Sequence, residues 1–277
     1  MVESLKIVGI DLGGHGAAAA LVEIGDNGAK VRSERFDWQP SSTVELAQLA
    51  IKTFGHFDGL GLSTAGYVKY GNVTLCRAQP WVQGNTVAEL LKALPQRSKV
   101  AVLNDGEAHT IAAIFGKDPR DSHPLLSFGI GTSVSFGRTS DQGEIERPLS
   151  MRNWDIGSMR VRSRCSHPEI WWACGSNGLA ELESSMSPDQ ALQHFGARLG
   201  ALVADFTILF QPRTVVLSGG IPDRHGNKLL DPANAELSKI LPDHVQMPRL
   251  EKSLWGRNAG IVGGALAVAA AARGIPN

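Results

Sequence analysis

The 277-residue chain balances 27 Lys and Arg against 27 Asp and Glu. That neutrality argues against a nucleic-acid surface or a polybasic membrane patch as its main partner. Its length suits about two domains, and its apolar fraction of 43% is ordinary for a globular protein. Three cysteines, Cys76, Cys165 and Cys174, make no disulfide framework, so a reducing cytoplasm is the expected location. The longest run of small apolar residues, Ala259 to Ala272, is too short to span a bilayer. The amino terminus has no signal-peptide shape, and no basic helix-turn-helix precedes the first apolar run.

Taken in order, Leu5 to Asp11 reads as a strand, Gly13-Gly14 as a tight turn, and Ala17 to Ile24 as a second strand. Asp26-Asn27-Gly28 has hairpin-turn chemistry, and Lys30 to Trp38 alternates as a third strand. Pro40 to Thr43 opens an amphipathic helix that runs to Phe54. Gly59 to Ser63 is a strand before the loop Thr64-Ala65-Gly66, and Thr86 to Leu94 is a helix stopped by Pro95.

Val100 to Leu103 is a short buried strand, and Ala108, Ile111, Ala112 and Phe115 have the spacing of a helix. Between them stands Asn104-Asp105-Gly106-Glu107. At a strand's carboxyl end before a helix, Asp105 has two readings. It caps the helix, or it faces the crevice where open α/β sheets bind ligands and accepts a proton from a substrate hydroxyl. Glu107 falls in the helix's first turn, where negative charge is favoured.

Lys117 to Pro124 is polar, with two prolines, and marks the domain boundary. Leu125 to Arg138 begins a second strand pair, turned at Asp141 to Gly143. Residues 150–180 read as loop with short helices, and Pro188 to Phe210 as a long amphipathic helix. Arg213 to Leu217 is a strand that ends in the glycine turn Ser218-Gly219-Gly220. Asp231 to Ile240 is a short helix, and Asn258 to Ala272 a terminal helix of small residues. The chain thus holds two similar units, each opening on a hairpin, an arrangement suited to enclosing a ligand.

The order IVGIDLGG, GLGLSTAGYV, LNDGEA, VVLSGGI and NAGIVGGALAVA resembles the ROK family of sugar kinases and repressors, within the actin-like, hexokinase-like ATPases. The resemblance covers nearly the whole chain. It implies an α/β, two-lobed actin-like ATPase (ribonuclease-H-like) fold with a central interlobe cleft. One lobe takes residues 1–118 plus 258–277, the other 119–257. The implied reaction moves the γ-phosphoryl of ATP, with Mg2+, to a hexose or amino sugar. Asp105 is the implied base. Gly66, Asn104, Asp155 and Glu181 are the sugar side, and Asp11, Gly13, Gly14, Gly131, Thr132, Gly219 and Gly220 the nucleotide side. Family dimers are common, so a homodimer is expected, with small molecules and no nucleic acid or membrane as partners.

Four departures stand out. His15-Gly16 replaces the family's Thr and Lys, and His15 either touches phosphate or faces solvent. Ser133 and Ser135 stand in the second phosphate loop where the family has glycines, and a serine Cβ penalises positive φ. Asp155-Ile156-Gly157-Ser158 replaces Glu-x-Gly-His. The zinc signature keeps Cys174, Gly175, Gly178 and Glu181, but Trp172 and Leu179 replace two cysteines. Zinc is therefore expected to be absent, with apolar packing in its place; a different site at Cys165, His167 and Cys174 lacks an evident fourth ligand.

Overall fold

The computed structural model describes residues 4–147, 154–161 and 166–274. Its chain forms two compact units, Met1–Ala112 with Arg147–Asn153 and Asn258–Asn277, and Ala113–Glu146 with Trp154–Arg257. No helix among the described residues is long and apolar enough to cross a membrane.

In the first unit, β1 (Leu5–Gly13) and β2 (Gly16–Gly25) form an antiparallel hairpin closed by the pair Gly13 and Gly16. Gly16 carries the positive φ, +123°, and a Cβ there would sit 2.5 Å from the Trp38 carbonyl oxygen. The turn therefore requires glycine at position 16, where the family has lysine, rather than at Gly13 or Gly14.

The expected third strand is two short ones, β3 (Gly28–Val31) and β4 (Phe36–Trp38), both paired with β2. The break at Arg32 to Arg35 has its own bonds: the Arg32 amide donates to the Leu21 carbonyl (2.8 Å), and Ser33 Oγ accepts from the Leu21 amide (2.9 Å). Helix α1 (Thr43–Phe54) starts at Ser42, whose side chain accepts from the Glu45 amide. Strand β5 (Gly59–Thr64) runs parallel to β1. A small hairpin that the sequence pattern does not announce follows, β6 (Tyr67–Lys69) and β7 (Asn72–Leu75). Helix α2 (Thr86–Ala93) leads to β8 (Lys99–Asn104), parallel to β5, and then directly to α3 (Asp105–Ile114). The sheet order is β3-β2-β1-β5-β8.

The terminal helix, Ala259–Ala272, lies on this sheet with almost no side chain between. A Cβ at Gly9 would fall 2.2 Å from the Ile261 carbonyl oxygen, one at Gly61 2.1 Å from that of Gly264, and one at Gly263 1.8 Å from that of Ala108. Those distances are far inside van der Waals contact, so glycines on strand and helix permit backbone-to-backbone packing.

The second unit repeats the sheet. After α4 (Pro119–Ser122) come β9 (Leu125–Ile130), β10 (Val134–Thr139) and the two-residue β11 (Ile145–Glu146). Helices α5 (Ile170–Ala173), α6 (Ser176–Glu183) and α7 (Pro188–Phe210) precede β12 (Thr214–Ser218). Helix α7 opens with a full capping box between Ser187 and Gln190. Helices α8 (Gly220–His225) and α9 (Asn227–Ile240) and strand β13 (Arg249–Lys252) follow. The order β11-β10-β9-β12-β13 matches the first sheet, with the same two antiparallel and two parallel neighbours. Helix α9 begins four residues before the expected Asp231, because Pro232 lies inside it rather than at its start.

The second unit's core joins Phe128, Phe136, Phe195 and Phe206 to Val215 and Leu217. Phe128, Phe136 and Phe206 are in mutual ring contact at 4.8–5.4 Å, geometry that adds to their apolar burial.

Candidate active site

Within the first unit, parallel register sets Asp11 of β1 beside Ser63 of β5, and Thr64 beside Asn104 of β8. The strands therefore end together, with Asp11 near one edge of the group and Asp105 following the other. Ser63 Oγ donates to Asp11 Oδ1 at 3.0 Å. The terminal helix begins against the same carboxylate, since a Cβ at Gly260 would lie 2.6 Å from Asp11 Cγ. A helix amino terminus is a favourable neighbour for an acidic side chain.

Asp105 is half-buried as the first residue of α3, and its Oδ1 accepts from the Gly106 amide at 2.9 Å. Burial, followed by the negative charge of Asp11, pushes its carboxyl up to about 7, while the Gly106 and Asn104 hydrogen bonds act the other way. A carboxyl titrating there can exchange a proton near neutral pH. One turn along, His109 is buried, and that burial holds its imidazole below the usual range while Asp11 acts against it.

Asn104 is engaged on both sides. Its Oδ1 accepts from the Gly106 amide (2.9 Å), and its Nδ2 donates to the Gly66 carbonyl (3.1 Å). It caps α3 and braces the loop after β5. Gly66 is buried, and a Cβ there would lie 2.9 Å from the Leu75 carbonyl oxygen and from Cys76 Cβ. The close approach that demands glycine is thus to the β6–β7 hairpin and the residue after it.

Two contacts were not read from the sequence. Gln79 Nε2 donates to the Gly13 carbonyl (3.3 Å), and Gln79 Oε1 accepts from Trp81 Nε1 (2.8 Å), so the QPW segment supports the first glycine turn. Arg147 forms a two-nitrogen ion pair with Glu107, giving that first-turn carboxylate a specific partner. His15 is exposed.

In the second unit, the β9–β10 turn holds Gly131, Thr132 and Ser133, with the Gly131 amide donating to the Ser133 carbonyl at 3.0 Å. None of residues 131–135 has a positive φ. The expected backbone penalty at Ser133 and Ser135 is therefore absent, because the turn closes in conformations open to any residue. The Ser176 amide, at the start of α6, donates to the Gly131 carbonyl (2.8 Å), and a Cβ at Gly175 would lie 2.5 Å from the Thr132 carbonyl oxygen. The retained Gly175 is needed for that approach. Gly219, after β12, has φ +97°, and its Cβ would fall 2.5 Å from the Ile130 carbonyl oxygen. Gly219 is buried against the end of β9, whereas Gly220 is exposed.

Asp155 is exposed in the loop before α5, and Glu181 is half-buried on α6. Hydrogen bonding by Ser166 holds the Glu181 carboxyl below the usual range, with its amide 3.2 Å from Oε1; Glu181 Oε2 is buried and has no hydrogen-bond partner among the described residues.

At the zinc-signature positions the described residues supply one thiol, Cys174. Cys174 is 0% exposed in the apolar core with Ile170 and Leu179, and the His167 ring lies against Trp172 at 4.9 Å. No group of three or more His, Cys, Asp and Glu among the described residues could hold a metal ion. Cys165 lies outside the described residues.

A family model described as ROK family matches residues 179–271. A search of curated proteins found no match. Among solved structures, a ROK family glucokinase from Streptomyces griseus, bound to glucose and AMPPNP, is similar with a TM-score of 0.76 at 18% identity, covering 95% of this chain and 99% of its own. An inorganic polyphosphate/ATP-glucomannokinase from Arthrobacter sp. strain KM gives 0.70 at 19% identity, covering 96% and 98%. A ROK family transcriptional regulator, a homolog of the E. coli MLC protein, gives 0.72 at 17% identity, covering 98% and 79%. The α/β fold, with its mixed sheets, is that of the actin-like ATPase sugar kinases. Residues 179–271 thus match the ROK family model, and the fold over nearly the whole chain is similar to that of solved ROK proteins.

Proposed function

We propose that the protein is a sugar kinase that phosphorylates a hydroxyl of a hexose or amino sugar with ATP. The observation that carries this reading is Asp105: a carboxyl at the carboxyl end of β8, brought to about 7 by burial and by Asp11. Asp105 takes the proton of the sugar hydroxyl as its oxygen bonds to the γ-phosphorus. The bond from that phosphorus to the β–γ bridging oxygen breaks, and ADP leaves. Positioning and charge stabilisation supply most of the rate.

The first unit holds the base, the loop of Gly66 braced by Asn104, and the Gly13-Gly14 turn. Asp11 would hold hydrated Mg2+, which when bound would neutralise phosphate charge. The second unit supplies backbone at Gly131, Thr132, Gly219 and Gly220 to the nucleotide, and Asp155 and Glu181 to the sugar. Zinc has no part in this scheme. The fold similarity to the S. griseus glucokinase supports the glucokinase type.

Two other readings are separable. Ser158, where the family has histidine, favours a catalytically weak sugar- or nucleotide-binding regulator, and a regulator shares the fold. The glucomannokinase shares it as well, which supports polyphosphate as donor. A coupled assay with ATP and with polyphosphate, over a panel of hexoses and amino sugars, tests all three. Turnover with ATP supports the kinase reading. Turnover with polyphosphate alone replaces the donor, and sugar binding without turnover gives the regulator.

A further inference from the structure

The second unit contains a pocket of about 650 Å3 away from its glycine turns. It is lined by Arg120, Asp141, Leu209, Gln211, Arg213 and Gln246, among others. Pro124 and Arg213, which also line it, immediately precede β9 and β12, whereas Gly131 and Gly219 follow those strands' carboxyl ends. A strand of five or six residues spans about 17–20 Å. The pocket is therefore at the opposite end of the sheet from the residues assigned to nucleotide.

The lining is mainly polar, with Pro124, Leu209 and Phe210 as its apolar part. Arg213 donates through Nη1 to the Arg120 carbonyl at 2.5 Å and has no carboxylate partner among the described residues. An arginine has five N–H donors in a planar fork, so most remain for an anion. Arg120 pairs with Asp118 through Nε and Nη2, leaving Nη1. Asp141, Gln211 and Gln246 add carboxylate and carboxamide groups that match hydroxyls, and Leu209 is 65% exposed at the same place.

Gln211 gives a second, independent observation. It ends α7 at φ 45°, one of two non-glycine residues with positive φ among the described residues. Glycine or asparagine is usual at such a helix end. A strained backbone that places a long carboxamide on a pocket wall is a pattern found at ligand sites.

We infer that this pocket binds a phosphorylated polyol, its phosphate on Arg213 and Arg120, its hydroxyls on Asp141 and the two glutamine carboxamides, and its carbon skeleton against Leu209. The inference does not depend on the kinase reading, because the test reads binding alone.

The test is calorimetric titration of the whole protein with glucose 6-phosphate, with and without saturating glucose, and with inorganic phosphate and glucose as separate probes. The expected result is a glucose-6-phosphate site that survives saturating glucose and weakens at least tenfold in both Arg213→Gln and Gln211→Gly. Inorganic phosphate is expected to bind more weakly and glucose not to bind there. Arg213→Gln also loses the tie to the Arg120 carbonyl. Gln211→Gly relieves the positive φ and keeps a folded protein for the measurement. Binding that glucose displaces, that both variants retain, or that inorganic phosphate matches in affinity overturns the inference, as does no binding at all.

Discussion

The two units share one sheet plan and differ in what stands at the strand ends. In the first, Asp11 lies two residues before the closing pair of the hairpin, and Asp105 follows the outermost parallel strand. In the second, the residue two before the closing pair is Phe128, and Ser253 follows the outermost parallel strand. One unit therefore sets the charge of Asp11 near Asp105, which raises the cost of ionising Asp105. The other offers turns whose backbone is neutral. Under the kinase reading, the duplicated frame gives proton transfer and cation binding to one copy, and leaves the other free to meet an anion with main-chain groups.

Replacing the proposed base breaks this comparison most severely. Asp105→Asn keeps the shape and the Gly106 hydrogen bond but accepts no proton. Steady-state assays on the best sugar are expected to show kcat lower by roughly 10²–10⁴-fold, the range for a general base, with sugar affinity within a few-fold of the parent. Wild-type turnover in this variant removes Asp105 from the role. Its stability should move the other way. Burial and Asp11 raise the folded-state pKa to about 7 from 3.8, so ionising Asp105 costs stability as pH rises through that window. Thermal melts should show the asparagine variant gaining on the parent between about pH 4 and pH 7, the two converging at the acid end.

The hairpin turns come next. Gly16→Ala meets a positive φ and a contact of 2.5 Å with the Trp38 carbonyl oxygen. Backbone strain and overpacking together are expected to cost about 2–4 kcal/mol, measurable by urea unfolding. A loss below about 0.5 kcal/mol would mean that the turn relaxes freely.

Much of this arrangement is legible in the sequence because local chemistry dictates it. The Gly-Gly hairpin, the strand-to-helix step at Asn104-Asp105 and the small-residue terminal helix each depend on residues close in sequence. What escapes depends on partners far away or on weak patterns. Strand β13 reads RLEK, with no apolar run, and forms because it pairs beside β12. The β6–β7 hairpin is only a few residues long and turns at Tyr70-Gly71, where both φ values are positive. The approach of Asp11 to Asp105 joins residues far apart in the chain and follows from strand register, so no motif announces the raised pKa. The serines of the second turn mislead in the opposite sense. A family glycine need not mark a position of positive φ in this chain.

The electrostatic coupling gives a smaller effect with a definite sign. Asp11→Asn removes the neighbouring charge that raises Asp105, so the Asp105 carboxyl should titrate at lower pH than in the parent. Carbon-13 NMR of the carboxyl reads this directly in the metal-free protein, so the loss of the proposed Mg2+ ligand in the same variant does not enter. An unchanged titration would leave burial as the whole cause.

The smallest effect is expected at the second turn, and it tests whether the two hairpins truly differ. Ser133 has a φ open to any residue and is exposed, so Ser133→Gly relieves no strain. The substitution only frees the unfolded chain, a cost of about 0.4–1 kcal/mol. Under the kinase reading, the KM for ATP should also stay within a few-fold, since the amides of Gly131 and Thr132 remain where they are. A glycine variant that is more stable than the parent, or that binds ATP tenfold more tightly, would show that the serine does strain this turn. The second hairpin would then resemble the first, with its backbone held in a conformation that only glycine adopts at ease.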